Sequence, residues 1–295
     1  MLVVTKLHFY FCCMINLQKS FLTAITTCFA LLASSQNIDT LSIGDNARAG
    51  HYVRIRGFSM YYESYGKGLP LLMIHNNGGS ISNFMYQVPY FAKTFNVIAA
   101  DSRAQGKSVD KGDSLSYEMM ADDMNTLLDS LHLSQCFVVG WNDGAITGLL
   151  LAMHHPDKVR KLAITGARLS ADTSALDPVV VNWASQYNAS FEQMTQTDQV
   201  KNKHKVARLL SYHPHIAATE LQKIVCPVLV MSGDHDIVLP KHTLLITSSI
   251  PESYLWIAPR SGNSVLLNIK DQFNDIVDDF FRRPYKKIEG LDRFN

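Results

Sequence analysis

Six short apolar runs, separated by longer stretches of helical character, set the strongest limit on what this chain can fold into. They are PLLMIH (70–75), FNVIAAD (95–101), CFVVGW (136–141), KLAITGA (161–167), PVLVMSGD (227–234) and SYLWIAP (253–259). Brief apolar runs without alternation are the pattern of strands covered on both faces. Strands that alternate with helices imply βαβ units and a mainly parallel sheet. HYVRIRG and FSMYYESYG, just upstream, predict an opening antiparallel hairpin, which brings the expected sheet to eight strands. The clearest helix is expected after Ser116, an N-cap candidate, with Met120, Met124, Leu127, Leu128 and Leu131 on one face.

Residues 169–220 break this rhythm. They hold no good strand, scattered aromatics (Trp183, Tyr187, Phe191) and a polar middle, NASFEQMTQTDQVKNK. A structureless loop of that length is uncommon inside a compact domain. The segment therefore reads as a small helical cap inserted after the sixth strand.

The chain has 295 residues, 47% hydrophobic and 18% charged, enough for one large α/β domain or two small ones. Residues 1–35 contain Lys6 and Lys19 and no acidic residue or arginine. They read as a secretory signal peptide, with an apolar stretch, a small-residue exit at Ala33-Ser34-Ser35 and cleavage before Gln36. The expected product is an exported domain over residues 36–295, periplasmic or secreted. An N-terminal membrane anchor is the alternative, but the stretch is short for a span of about 20 residues. Met14 is an alternative start. Without the leader, 25 basic residues face 26 acidic ones, a balance that points away from nucleic acid and anionic surfaces. Cys136 and Cys226 each open an apolar run and are expected as separate core thiols.

The segment carrying most of the chemistry is FVVGWNDGAI, residues 137–146. Its frame, Gly140-Trp141-Asn142-Asp143-Gly144, has glycines where a G-x-S-x-G turn between strand and helix needs them. Asn142 stands at the centre. Among non-glycine residues, Asn and Asp best tolerate a positive φ, so Asn142 can hold such a turn, but its amide is no nucleophile.

Taken with four further segments, this one resembles the α/β-hydrolase fold family across nearly all of residues 50–285. LLMIHNNGGS looks like the strand and H-G-x-G-G oxyanion loop. ADSRAQGKS looks like D-x-R-G-x-G-x-S, PVLVMSGDHD like the strand and turn that present the catalytic acid, and WIAPRSGNSV like the turn that presents the histidine. The resemblance implies a nucleophile–acid–histidine order at Asn142, Asp236 and Asn263, so only the acid is kept. It also implies oxyanion donors at Asn77 and Asp143, and ligand contacts from His75, Trp141 and Trp183. Asn76 and Ala104 stand where the family has glycine. An Asn142–Asn263–Asp236 hydrogen-bonded chain, with a water filling the shorter reach of Asn, is the expected remnant of the triad.

The resulting expectation is a cofactor-independent pseudo-hydrolase that binds a small apolar or ester-like molecule between cap and sheet. An active hydrolase of carboxylic esters with a non-standard site is the alternative. His235 and His242 are expected as turn and helix residues rather than rescuing bases. GKS at Gly106–Ser108 lacks the spacing of a phosphate loop, no cluster has metal-ligand spacing, and Asn188-Ala-Ser190 matches a glycosylation triplet. Oligomeric state is open.

Overall fold

The computed structural model describes residues 38–290, so the leader read from residues 1–35 lies outside the described residues. The strands are β1 (Gly50–Ile55), β2 (Phe58–Tyr65), β3 (Leu69–Ile74), β4 (Phe95–Ala100), β5 (Cys136–Trp141), β6 (Val159–Thr165), β7 (Val228–Gly233) and β8 (Ser253–Ala258). The helices are α1 (Gln87–Phe91), α2 (Tyr117–Ser130), α3 (Asp143–His154), α4 (Pro178–Ser190), α5 (Asp198–Tyr212), α6 (Pro240–Ser249), α7 (Val265–Asn268) and α8 (Lys270–Arg282). The strands form one sheet in the order β1-β2-β4-β3-β5-β6-β7-β8. The β1–β2 hairpin and the β2–β4 pair are antiparallel, and every pair from β4 to β8 is parallel.

The apolar runs form strands because the sheet is covered on both faces. Every residue of β5 and of β7 is buried. Strand β5 lies between β3 and β6, with Ile74 beside Gly140 and Trp141 beside Thr165. Helix α2 starts at the Ser116 cap, whose side chain accepts the Met119 N–H at 3.2 Å, and buries Met120, Met124, Leu127 and Leu128. Helix α3 is buried over almost its whole length, as expected of a helix with no polar stripe. Elsewhere α1 and α8 lie together, tied by Gln87, whose Nε2 donates to the Leu266 carbonyl and to Asn274 Oδ1. Lys161 reaches from β6 to the end of α8 and donates to the Phe280 carbonyl at 2.7 Å, a favourable place for a cation at a helix C-terminus.

The insertion between β6 and β7 is helical, consisting of α4 and α5 with short 3₁₀ turns at Phe191–Gln193 and Ala218–Lys223. Cys136 and Cys226 are buried free thiols, both pushed up to about 12 by burial. Asn188, the glycosylation candidate, is 5% exposed and its amide faces Tyr212 Oη at 3.4 Å, so no acceptor site is presented there.

Candidate active site

In a parallel sheet the carboxyl ends of the strands share one edge, and the motif residues gather there because each follows a strand end. Asn142 follows β5, the 75–80 loop follows β3, Gly166 follows β6, Asp236 follows β7 and Asn263 follows β8.

The turn at Asn142 is as sharp as its glycines suggest. Asn142 has φ 52° and ψ −109° and precedes the first residue of α3. Its N–H donates to the Thr165 carbonyl at 2.9 Å, and its carbonyl accepts from Ala145 and Ile146 at 2.9 and 3.1 Å. A Cβ on Gly140 would lie 2.4 Å from the Gly144 carbonyl oxygen, and one on Gly144 would lie 1.9 Å from that of Ile74. Both contacts are to backbone, so the two glycines are steric requirements of helix-on-strand packing. The Asn142 side chain is buried (4% exposed), does not cap α3, and makes no hydrogen bond within the described residues.

Asp236 is buried and well supplied with donors. Its Oδ1 accepts from Asn263 Nδ2 at 2.8 Å and from the Val238 N–H at 3.1 Å, and its Oδ2 accepts from Ser232 Oγ at 3.2 Å. Burial pushes its carboxyl above the usual carboxylate range, and these hydrogen bonds, Asn263's foremost, pull it partly back. Asn263 fits closely against β6: a Cβ on Gly166 would stand 2.5 Å from Asn263 Nδ2.

The expected remnant triad is only half formed. Asn263 donates to Asp236, but its Oδ1 accepts from Trp141 Nε1 at 3.3 Å, and the Asn263 carbonyl takes the same N–H at 3.0 Å. No hydrogen bond joins Asn263 to Asn142 among the described residues. An indole N–H has no acceptor role, so its pairing orients Asn263 with the amide NH₂ toward the acid. Trp141, expected as a ligand contact, lies beside the elbow with its N–H taken by Asn263. The ring is 4% exposed and acts as a strut between β5 and the Asn263 turn.

His75, also expected at the ligand, is likewise partnered within the protein. It is fully buried, Nδ1 lies 2.7 Å from the Asn76 carbonyl, and Nε2 accepts the Ser102 N–H at 3.0 Å. A backbone N–H can only donate, so Nδ1 carries the proton and the ring is neutral. Burial also pushes its pKa down. With both nitrogens in use, His75 fixes the loop. Trp183 is 54% exposed on α4 and stacks on Tyr187 with ring centroids 5.4 Å apart; its ring partner is in the cap, not at the elbow. His235 is exposed beside Asp234 (2.8 Å), and His242 Nε2 accepts the Leu169 N–H at 2.9 Å.

Around the 75–80 loop, Asp101 accepts the N–H groups of Ile81 (2.9 Å) and Lys107 (2.7 Å), and Gln105 Oε1 accepts that of Gly78 (2.6 Å). A Cβ on Gly106 would lie 2.2 Å from Asp101 Oδ2, which accounts for that glycine. Ala104 sits in the same turn with φ 65°, strained where a glycine would not be.

The two expected oxyanion residues are joined through their side chains. Asn77 Nδ2 donates to Asp143 Oδ2 at 2.6 Å and to the Val206 carbonyl of α5 at 3.1 Å. Asp143 Oδ1 lies 3.7 Å from Nη1 of Arg168, and both side chains are fully buried. Arg168 Nη2 in turn reaches Tyr117 Oη at 3.2 Å and the His213 carbonyl at 2.9 Å, just past α5. Lys205 of α5 adds a bond to Asp110 Oδ2 at 2.8 Å. Cap helix α5 is thus pinned to the elbow and the oxyanion loop by one buried polar cluster. Sequence reasoning missed Arg168 entirely. Among the described residues, no group of three or more His, Cys, Asp or Glu side chains is placed to hold a metal ion.

A family model described as alpha/beta hydrolase fold matches residues 70–211, which span the oxyanion loop, the elbow and the cap helices. A solved hydrolase structure from Pseudomonas aeruginosa superimposes with a TM-score of 0.70 at 19% identity, covering 81% of this chain and all of the other. The chain has the α/β-hydrolase fold. Two curated hydrolases are similar to the chain in sequence. Mouse serine hydrolase BPHL is 26% identical over 250 residues, covering 78% of this chain and 85% of the relative. The putative carbamate hydrolase RutD of Serratia proteamaculans (strain 568) is 26% identical over 258 residues, covering 74% and 94%.

Proposed function

We propose that this chain is a pseudo-hydrolase, an α/β-hydrolase scaffold that binds a small molecule at the elbow and does not turn it over as a serine hydrolase. The observation that carries this reading is the partnering of Asn263. Its amide donates to Asp236 and its oxygen faces the Trp141 N–H, leaving no group between acid and elbow that can take up and return a proton. His75, His235 and His242 are each committed to other partners. Asn142 supplies no attacking oxygen.

Magnitudes support the same side. In serine proteases, loss of the serine or the histidine alone lowers kcat by about 10⁶, equivalent to roughly 8 kcal/mol of transition-state stabilisation. What survives without the triad is worth about 10³–10⁴ over water. In this reading the ligand is a small, uncharged molecule with an apolar body or an ester-like one, no cofactor takes part, and the leader directs export.

Fluorophosphonate labelling tests the reading, because the reagent needs an activated serine. Intact-mass analysis of the wild-type protein is expected to show no adduct, and Asn142→Ser with Asn263→His is expected to gain one. A stoichiometric adduct on the wild type would point to an unrecognised nucleophile and an active enzyme.

A further inference from the structure

At the amino ends of the strands, on the far edge of the sheet from the elbow, β3 and β5 diverge. Their ladder begins only at Leu71 and Phe137, although Leu69 and Pro70 stay paired with Phe95 and Asn96 of β4. On its other side β5 carries a bulge between Cys136 and Phe137. The strands open there into a wedge of about 280 Å³, bounded also by the 132–135 loop that enters β5. Phe137 lies near the start of β5 and Asn142 just past its end, so roughly 15–20 Å of strand separates the wedge from the elbow.

The wedge has an apolar floor and a cation beside it. Leu69, Pro70, Leu133, Cys136 and Phe137 line it together with Arg160, which is exposed. Cys136 and Phe137 are buried, whereas Leu69 is 52% exposed although it sits on a strand. Burial pushes the Cys136 thiol up to about 12, so this floor carries no charge at neutral pH. Arg160 holds its guanidinium over the Phe137 ring, 5.4 Å from the centroid, and has no carboxylate within 4.0 Å among the described residues. With its face against the ring, the guanidinium keeps its N–H groups at the edge, where a bidentate acceptor can meet them. The neighbouring charges are already committed. Asp129, at the end of α2, is paired with Lys158, which also reaches the Leu133 carbonyl at 3.5 Å and so answers the negative end of that helix. Lys161, next along β6, donates to the end of α8.

We infer that this wedge is a second binding site, for a small carboxylate with an apolar body. Its volume lies just below the range of about 300–1,000 Å³ usual for small-molecule pockets, which limits the occupant to a short chain or a single ring. The carboxylate takes the edge of Arg160 in a two-pronged contact, and the chain or ring covers Leu69 and follows the wedge toward Phe137. An ammonium head is repelled by Arg160, and an alcohol offers it one neutral acceptor, so acids are favoured over amines and alcohols of the same length. Each methylene taken out of water is worth about fourfold in affinity when fully covered, and about twofold in a wedge open on one side.

The test is a titration of the purified protein with hexanoate, octanoate and 3-phenylpropionate, beside acetate, octanol and octylamine, at constant ionic strength. Binding is followed by the backbone resonances of Leu69 and Phe137 and the side-chain Nε of Arg160, with the backbone resonances of Asn142 and Asp143 reporting on the elbow. Octanoate is expected to shift the first set and to bind about fourfold or more tighter than hexanoate. Arg160→Gln is expected to weaken octanoate about tenfold and leave octanol unchanged. Leu69→Ser is expected to weaken octanoate and 3-phenylpropionate about threefold to tenfold. Both side chains are exposed, so urea midpoints close to that of the wild type are expected and show that the fold is kept. Octanol or octylamine binding as tightly as octanoate, unchanged octanoate affinity in Arg160→Gln, or shifts confined to Asn142 and Asp143 would each overturn the inference. Silence of all three acids at millimolar concentration would do the same, as would equal shifts with acetate or sulfate, meaning an adventitious ion only. Phosphatidylglycerol vesicles that shift Leu69 and Arg160 where octanoate does not would assign the surface to a membrane and overturn it too. The reporters belong to the wedge, so the result stands whether or not the elbow turns esters over.

Discussion

Replacing Arg168 by Met probes the cluster that joins elbow, oxyanion loop and cap. Arg168 is fully buried, and its nearest counter-charge is Asp143 Oδ1 at 3.7 Å. That separation is too long for a good hydrogen bond, and Nε, Nη1 and Asp143 Oδ1 have no hydrogen-bond partner, so the attraction is Coulombic. With an effective dielectric of about 20, unit charges at that distance attract by roughly 4–5 kcal/mol. The Met variant removes this attraction and the bonds to Tyr117 and the His213 carbonyl, and leaves Asp143 buried with Asn77 alone. Breaking one partner out of a buried pair costs about 3–5 kcal/mol. In a domain of this size that lowers Tm by on the order of 10 °C. Asp143→Asn keeps the shape and is expected to cost less, about 1–3 kcal/mol. Combining the two should cost less than their sum, with a coupling of about 1–3 kcal/mol. Urea unfolding of the four proteins at matched m-values supplies the numbers. A loss below about 1 kcal/mol for Arg168→Met, or strict additivity, would refute the claim that this pair fastens the cap to the elbow.

Two further substitutions read separate parts of the structure. Ala104→Gly removes the left-handed strain at φ 65°, worth about 1–2 kcal/mol, and adds about 0.5–1 kcal/mol of unfolded-state entropy. A net gain near 0.5 kcal/mol is expected in the urea midpoint, and a loss would show that the Ala104 methyl is needed for packing. Asp236→Asn tests the acid. Because burial raises its folded pKa, Asp236 contributes stability that is complete below the unfolded value near 4 and is lost as pH rises through the raised value. The difference in stability between wild type and Asp236→Asn should therefore shift in favour of the variant across that window and level off at neutral pH. A difference curve that is flat, or that runs the other way, would mean that the hydrogen bonds to Asp236 outweigh its burial.

Much of the fold was legible because its cause is local. Runs such as CFVVGW and PVLVMSGD are apolar throughout, and only a strand covered on both faces suits so short a run. The elbow was legible for the same reason: two glycines four residues apart around an Asn mark a turn that needs positive φ and close backbone contact. The 169–220 segment announced itself as helical by lacking strand runs. What the sequence could not convey depends on partners far along the chain. Trp141 and His75 belong to site motifs and look like ligand contacts until Asn263 and Ser102, 122 and 27 residues away, are seen to occupy them. Trp183 looks like a wall of the binding site because it is an aromatic in a cap, yet its stacking partner lies four residues on along the same helix face. Arg168, in the short polar run after β6, has the sequence of an ordinary surface residue. Only the meeting of α5, Asp143 and Tyr117 turns it into a buried one.

The central claim, that the scaffold is sound and only its proton-shuttling chemistry is absent, is tested most directly by ester hydrolysis. Wild type and the double variant Asn142→Ser, Asn263→His are compared on short-chain aryl esters. The account predicts a wild type at the level of residual catalysis and a double variant that gains orders of magnitude in kcat/KM. Clear wild-type turnover that persists in Asn142→Ala would contradict it.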